Sequence, residues 1–96
     1  IRLALRGESP TIFGDGEQTR DFVYVEDIVR ANLLAAIRQP LPAAPIVLNI
    51  GTGQATSINQ LWSQIAMLTG TSARPVYAPP RAGEIRHSRA HVEKAR

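Results

Sequence analysis

Apolar residues recur at strand spacing in some parts of the chain and at helix spacing in others, which predicts a mixed structure. The strand-like segments are short and cover residues 10–13, 21–25, 46–50 and 74–78. The third of them is almost continuously apolar, as is typical of a strand that is covered on both faces. Between the first two, Gly14-Asp15-Gly16 predicts a tight turn, because Asp-Gly readily supplies positive φ angles.

Two longer segments have helical character. The first begins near Glu26 and Asp27 and ends near Arg38, an arrangement of charges that complements the helix dipole. Its apolar residues occupy most sides, so we expect this helix to be well buried. The second follows Ser57, which is spaced to form a capping box with Gln60.

Shorter signals delimit these helices. Gly70 is expected to end the second of them, and Pro40, Pro42 and Pro45 end the first and form a loop, since proline cannot continue a helix. Residues 1–6 predict the end of a helix that is closed by Gly7, and residues 91–96 predict the first turn of another.

This order of elements predicts an α/β fold, a small mixed lobe of short strands and about three helices. The connections are too short for an independent nucleotide-binding domain of the usual kind. With 96 residues, the chain is expected to be one domain or a piece of one.

Composition narrows the classes of partner. The chain has no cysteine, which excludes disulfides and thiolate metal sites and fits a reducing, cytoplasmic setting. It has no run of 18 apolar residues, so we expect no membrane partner. Its net charge is +3, and basic residues crowd the last part of the chain, as a solvated face or as phosphate contacts. Nucleic acid is not expected as a partner, because no aromatic residue follows Tyr77 to stack with bases.

The segment from Gly51 to Thr56 resembles the start of a dinucleotide-binding fingerprint, with two departures. Thr56 replaces the third glycine, and no acidic residue lies between Asp27 and Glu84 to bind a ribose. The segment is therefore either a phosphate-binding loop or an ordinary turn from a strand into a helix.

Catalytic and metal signals are weak. His87 and His91 have a spacing found in metal sites, but no acidic residue separates them. The serines lack a motif that would make them reactive, and neither Tyr24 nor Tyr77 has a lysine four residues later. We therefore expect no catalytic residue, cofactor-binding residue or metal ligand in this chain.

Arg20 and Arg81 are the strongest candidates for binding. Each lies where a strand meets a loop, with a glycine nearby, and arginine gives planar, two-pronged recognition of phosphate. Together they could clamp a diphosphate. The alternative is that Arg20 pairs with Asp21, Glu17 or Glu26 and that Arg81 is merely exposed.

Three ordered motifs carry a resemblance to a known family: PTIFGDGEQTRDFVYVEDIVRA, VLNIGTG and PPRAGEIRHSRA. They are similar to the C-terminal lobe of the NAD-dependent sugar-nucleotide epimerases and dehydratases, within the extended short-chain dehydrogenase/reductase family, and most similar to the UDP-glucose 4-epimerase type. The resemblance covers nearly the whole chain from Pro10 onward.

The resemblance implies a nucleotide-diphosphate sugar as the ligand. By motif position, the main chain around Thr11 and Phe13 would contact the nucleobase, and Arg20 and Arg81 would hold the diphosphate. Glu84 corresponds to an acid near the ribose. Arg86 and His87, which lie close to that loop, are weaker candidates.

The same resemblance implies that the parent enzyme uses NAD, while this chain holds none of the cofactor lobe. We therefore expect a substrate-binding lobe over residues 1–96 that is inactive alone, with the NAD-binding lobe as its partner. His91 stands where the family usually has an acid, and it caps a helix less well. A different class of function remains open: a non-catalytic module that self-associates through an exposed docking face.

Overall fold

The computed structural model describes residues 1–40 and 43–95, and it has the predicted mixture of helices and strands. The elements, in chain order, are α1 (Arg2–Leu5), β1 (Thr11–Phe13), β2 (Thr19–Arg20), α2 (Val25–Ile37), β3 (Thr56–Ser57), α3 (Ile58–Thr69), β4 (Val76–Ala78) and a 3₁₀ turn (Glu93–Ala95). The predicted fold class, a small α/β structure with three helices and short strands, is confirmed. Pro42 and Arg96, which figure in the sequence predictions, lie outside the described residues.

The described strands form two small sheets. β1 lies parallel to β4, with Thr11 opposite Val76 and Phe13 opposite Ala78. β2 lies antiparallel to β3, with Thr19 opposite Ser57. Thr19 also forms a parallel bridge with His87, so residues far apart in the sequence meet at β2.

The sequence specifies α3 most completely. The Ser57 hydroxyl accepts a hydrogen bond from the Gln60 N–H at 3.1 Å, and the Gln60 side chain accepts one from the Ser57 N–H at 2.9 Å. Gly70 closes the helix at φ 70°, in the left-handed region that favours glycine. The predicted capping box and the predicted helix end are both confirmed.

The predicted strand over residues 21–25 is wrong. The strand is Thr19–Arg20, and helix α2 begins at Val25. Phe22 and Tyr24 alternate with valines as in a strand, but no described strand pairs with this stretch. The acidic residues Glu26 and Asp27 favour the start of a helix at this point instead, and they lie in its first turn as predicted.

The expected burial of α2 is also wrong. Along one side of this helix an exposed apolar residue recurs every fourth position. This row, here called the α2 stripe, consists of Val25, Val29, Leu33 and Ile37, and Ile37 is 73% exposed. Another side of the helix, including Leu34 and Ala35, lines a cleft with Ile46, Leu48 and Ile50.

The predicted strand over residues 46–50 is wrong as well. These residues have no regular secondary structure, and Val47 is 81% exposed. Their side chains favour a strand, but a strand needs a neighbour for its main-chain groups, and no described segment pairs with them. The other short predictions are confirmed in shortened form, as β1, β4 and α1, whereas the helical turn predicted at 91–96 is a 3₁₀ turn at Glu93–Ala95 among the described residues.

The buried apolar core of the described residues is small and consists of Ala4 and Ile12. The radius of gyration is 17.7 Å, whereas a compact chain of this length would have about 12–13 Å. Apolar burial therefore contributes little to holding this structure together, and polar contacts between loops contribute a larger share. None of the described helices combines the length and the apolar character that crossing a membrane requires.

The Asp21 carboxylate makes the most extensive of these polar contacts. One oxygen accepts hydrogen bonds from the N–H of Thr52 at 2.9 Å and from its hydroxyl, and the other accepts from the N–H groups of Gly53 at 2.9 Å and Ala90 at 3.2 Å. The Thr52 hydroxyl is the largest cause that lowers the pKa of Asp21 to about 2. One side chain thus joins the end of β2 to two distant loops.

Replacement of Ser57 by alanine should destabilise the chain by about 1 kcal/mol, because the N-cap acceptor for α3 is lost. Ser63→Ala is the matched control, since Ser63 lies within α3 and its hydroxyl only donates to the Asn59 carbonyl. Urea denaturation measures both free energies of unfolding. Equal stability of the two variants would contradict the role assigned to the cap.

Asp21 should make stability depend on acid. Its pKa is about 2 in the folded chain, against roughly 3.9 for an unfolded aspartate. The unfolded state therefore binds the proton more readily, so the stabilisation is complete above about pH 4 and is lost as the pH falls through 2. We expect Asp21→Asn to lower the melting temperature at pH 6 and to flatten its decline between pH 4 and 2.

The charge-matched control is Asp27→Asn, which lies in the first turn of α2. Thermal unfolding followed by circular dichroism across this pH range provides the comparison. A decline as steep in Asp21→Asn as in the unmodified chain would show that another group controls the acid transition.

Candidate functional site

The candidate site lies where β1, β2 and the loop after β4 come together. The Thr19 N–H donates to the Arg86 carbonyl at 2.8 Å, and the Ser88 N–H donates to the Thr19 carbonyl at 3.1 Å. The Thr19 hydroxyl also forms a hydrogen bond with Nδ1 of His87 at 3.0 Å. These bonds place the loop that follows β4, here called the 81–87 loop, beside Arg20, which follows Thr19 directly.

Arg20 pairs with an acid far away in the sequence. Its Nη2 atom lies 3.5 Å from Oε1 of Glu84, and its Nη1 atom donates to the Thr19 carbonyl at 2.7 Å. Both side chains of the ion pair are about one-third exposed, at 30% each, so solvent and ligand can reach them. Arg20 therefore pairs with Glu84. The sequence alternative proposes Asp21, Glu17 or Glu26 as its partner instead.

Arg81 lies over the aromatic ring of Phe13, with its guanidinium carbon 3.9 Å from the ring centroid. This is the geometry of a cation–π contact. The Glu84 N–H donates to the Arg81 carbonyl at 3.4 Å across a turn in which Gly83 has φ 78°. Phe13, Arg81, Glu84 and Arg20 therefore form one connected series of contacts.

The main chain of β1 has, at this site, an edge that no described strand pairs with. The Pro10 carbonyl and the Gly14 N–H both bond to β4, and parallel strands direct alternate residues to opposite edges. The main-chain groups of Thr11 and Phe13 consequently face away from β4. Thr11 itself is exposed.

Gln18 supports this edge and was missed by the sequence reasoning. Its side chain is 6% exposed, and its Nε2 atom donates to the Phe13 carbonyl at 2.8 Å. A glutamine between a turn and a short strand has no distinguishing pattern, so the sequence offered no signal for this contact.

The two weaker candidates, Arg86 and His87, are engaged with other protein groups. Arg86 donates through both Nη atoms to the two carboxylate oxygens of Asp15, at 3.1 and 2.9 Å. This hydrogen bonding is the main reason that the pKa of Asp15 falls to about 2, and the same partner raises the pKa of Arg86. His87 contacts Thr19, as described above.

The glycine turn after residue 50 is also engaged. The N–H groups of Thr52 and Gly53 both donate to Asp21. They do not form a cradle for a pyrophosphate, and the segment acts as a turn held by Asp21.

The histidine pair is not brought together on one helix face. His91 lies 3.5 Å from Glu93, while His87 contacts Thr19. Within residues 1–40 and 43–95, no three metal-binding side chains lie close enough together to hold an ion.

Known proteins match this chain in sequence and in structure. The model of the NAD dependent epimerase/dehydratase family matches residues 1–51. A UDP-glucose 4-epimerase of Mycolicibacterium smegmatis is 41% identical over 93 residues, which is 96% of this chain and 28% of that relative.

Two solved structures are similarly close. The UDP-glucose 4-epimerase of Thermotoga maritima with UDP-glucose is 49% identical, with a TM-score of 0.87 over 97% of this chain and 29% of that chain. The UDP-glucuronic acid 4-epimerase of Bacillus cereus, in complex with UDP-glucuronic acid and NAD, is 34% identical, with a TM-score of 0.85 over 98% of this chain and 30% of that chain.

The chain thus spans less than a third of the length of these relatives, although they match nearly all of it. The order of the motifs, the fold and these matches all indicate the same family. The chain belongs to the NAD dependent epimerase/dehydratase family.

Proposed function

We propose that this chain is the C-terminal, nucleotide-sugar-binding lobe of a UDP-sugar epimerase or dehydratase, and that Arg20 and Arg81 clamp the diphosphate of the ligand. The observation that carries the proposal is the link between the two arginines. Glu84 contacts Arg20 through its side chain and Arg81 through its main chain. The turn that carries Arg81 therefore lies beside Arg20 in the ligand-free chain.

The chemistry of the ligand matches these groups. A diphosphate carries two negative charges that guanidinium groups bind by paired hydrogen bonds. In our proposal the phosphate oxygens take the place of the Glu84 carboxylate on Arg20, which frees Glu84 to accept a hydrogen bond from the ribose. On the outer edge of β1, the main-chain groups of Thr11 and the Phe13 N–H are offered to the nucleobase, while the Phe13 carbonyl is held by Gln18.

The proposed role is to bind and orient. Residues of this chain do not fit NAD at the one place where the sequence resembled a dinucleotide loop, because Asp21 occupies its N–H groups. We therefore assign to these residues no step of hydride transfer. Holding the sugar nucleotide in one orientation is itself a large contribution to such reactions, since it removes the entropy of alignment from the barrier. The absence of cysteine favours a cytoplasmic setting for this activity.

Arg20→Ala and Arg81→Ala should each weaken the binding of UDP-glucose about ten- to a hundredfold, because each removes a charged hydrogen-bonding partner of the diphosphate. Arg30→Ala is the matched control, since Arg30 is an exposed arginine of α2. Isothermal titration calorimetry gives the dissociation constant of UDP-glucose for each of the three variants and for the unmodified chain. Unchanged affinity in both clamp variants would exclude the clamp.

The exposed α2 stripe supports a second candidate function, self-association without catalysis. Contiguous apolar rows on a surface favour association with another apolar surface. We expect the mean mass in static light scattering to rise above that of the monomer as concentration increases.

A double variant, Leu33→Asp with Ile37→Asp, should restore the monomeric mass, because both residues lie on the stripe and are exposed. Arg30→Ala again serves as the control on the same helix. A strictly monomeric mass of the unmodified chain at high concentration would rule out this function.

A further inference from the structure

We propose that the ion pair of Asp15 and Arg86 positions the 81–87 loop, and thereby sets where Arg81 and Glu84 lie relative to Arg20. The inference rests on the proposed diphosphate site. It makes Arg86 a positioning residue and not a ligand contact, and it gives a role to an aspartate in the Gly-Asp-Gly turn.

The pair has a geometry that restricts movement. Two guanidinium nitrogens of Arg86 each contact a different oxygen of Asp15, at 3.1 and 2.9 Å, so neither side chain can rotate without breaking a bond. The main chain of Arg86 is held as well, by the Thr19 N–H at 2.8 Å. Arg86 is thus fixed at both its backbone and its side chain.

The other end of the pair is anchored to α3. The Asp15 carboxylate accepts from the Glu17 N–H at 2.9 Å, and the Asp15 carbonyl accepts from Nδ2 of Asn59 at 3.0 Å. Asn59 packs so closely that a Cβ at Gly16 would lie 2.1 Å from its Oδ1 atom. Tyr77 in β4 donates to the same Oδ1 at 2.7 Å. The turn that carries Asp15 is therefore tied to a well-capped helix and to β4.

The middle of the loop needs such an anchor. Its described side-chain contacts are those of Arg81 with Phe13 and of Glu84 with Arg20. These are the groups that must rearrange around a diphosphate in the proposed function. Since they cannot both rearrange and locate the loop, its position has to be set at the ends, by β4 on one side and by Arg86 on the other.

The exposure of the pair agrees with a positioning role. The side chains of Arg86 and Asp15 are 56% and 55% exposed. Exposed ion pairs contribute little to global stability. Loss of this one should therefore loosen the loop while leaving the rest of the chain intact.

The first test is amide hydrogen exchange on the ligand-free chain by NMR. Asp15→Asn removes the ion pair but keeps the acceptor for the Glu17 N–H. We expect exchange at the Thr19 and Ser88 amides, which bond to this region, to quicken about fivefold. The amides of α3 should exchange as before. Glu8→Gln makes the same charge change at an exposed residue outside this turn and should have no effect.

The second test measures UDP binding by calorimetry, and its sign separates two roles for Arg86. If Arg86 is a positioning residue, Asp15→Asn should weaken binding about three- to tenfold, because the loop is less well placed. If Arg86 contacts the ligand directly, freeing it from Asp15 should leave binding unchanged or strengthen it. Arg86→Lys, which keeps the charge but not the fork, should fall between the unmodified chain and Arg86→Ala.

The outcomes are distinguishable. Unchanged exchange at Thr19 and Ser88 in Asp15→Asn overturns the proposal, whatever happens to UDP. Faster exchange with unchanged or tighter UDP binding overturns the positioning role and makes Arg86 a ligand contact. A chain that does not bind UDP at all refutes the proposed function, while the exchange measurement still decides whether the pair locates the loop.

Discussion

The carboxylate of Asp21 is the contact on which the arrangement of loops most depends. It accepts hydrogen bonds from Thr52, Gly53 and Ala90, which belong to two loops that no described strand holds together. A Cβ at Gly51 would lie 2.6 Å from Cβ of Ala90, so the loops approach as closely as they do because that position is glycine. Because little apolar surface is buried among the described residues, the hydrogen bonds of this carboxylate hold the loops together, as a hydrophobic core does in a compact domain.

The proposed site is built from the same kind of contact. Arg20 is paired with Glu84, Arg86 with Asp15, and Arg81 with the ring of Phe13. Each cation thus has a partner in the ligand-free chain, and the three pairings differ in strength. The bidentate pair of Arg86 is the most restrictive, whereas the longer contact of Arg20 is more easily exchanged for a phosphate. This difference separates the arginine that locates the loop from those proposed to meet the ligand.

Two incorrect predictions share one physical cause. Apolar side chains in α2 and in residues 46–50 predicted burial and strand pairing, and the structure leaves them exposed and unpaired. A pattern of apolar side chains shows that a segment favours burial or pairing. Burial and pairing also need a neighbouring strand or surface, and nothing among the described residues covers the α2 stripe. The strand predicted at 21–25 failed partly for the same reason, since no described strand pairs with residues 21–24, and partly because α2 begins at Val25.

Local chemistry was sufficient where neighbours in sequence make the contacts. Ser57, Gln60 and Gly70 define α3 by bonds within a few residues, so its start and its end could be predicted from the sequence alone. The motifs likewise identified the family and singled out Arg20 and Arg81. Only the tertiary structure decided the partners of those arginines, the support that Gln18 gives to Phe13, and the engagement of Arg86 by Asp15. The arginine contacts join residues far apart in the sequence, and the Gln18 contact depends on how the Gly14-Asp15-Gly16 turn folds, so no local pattern encodes them.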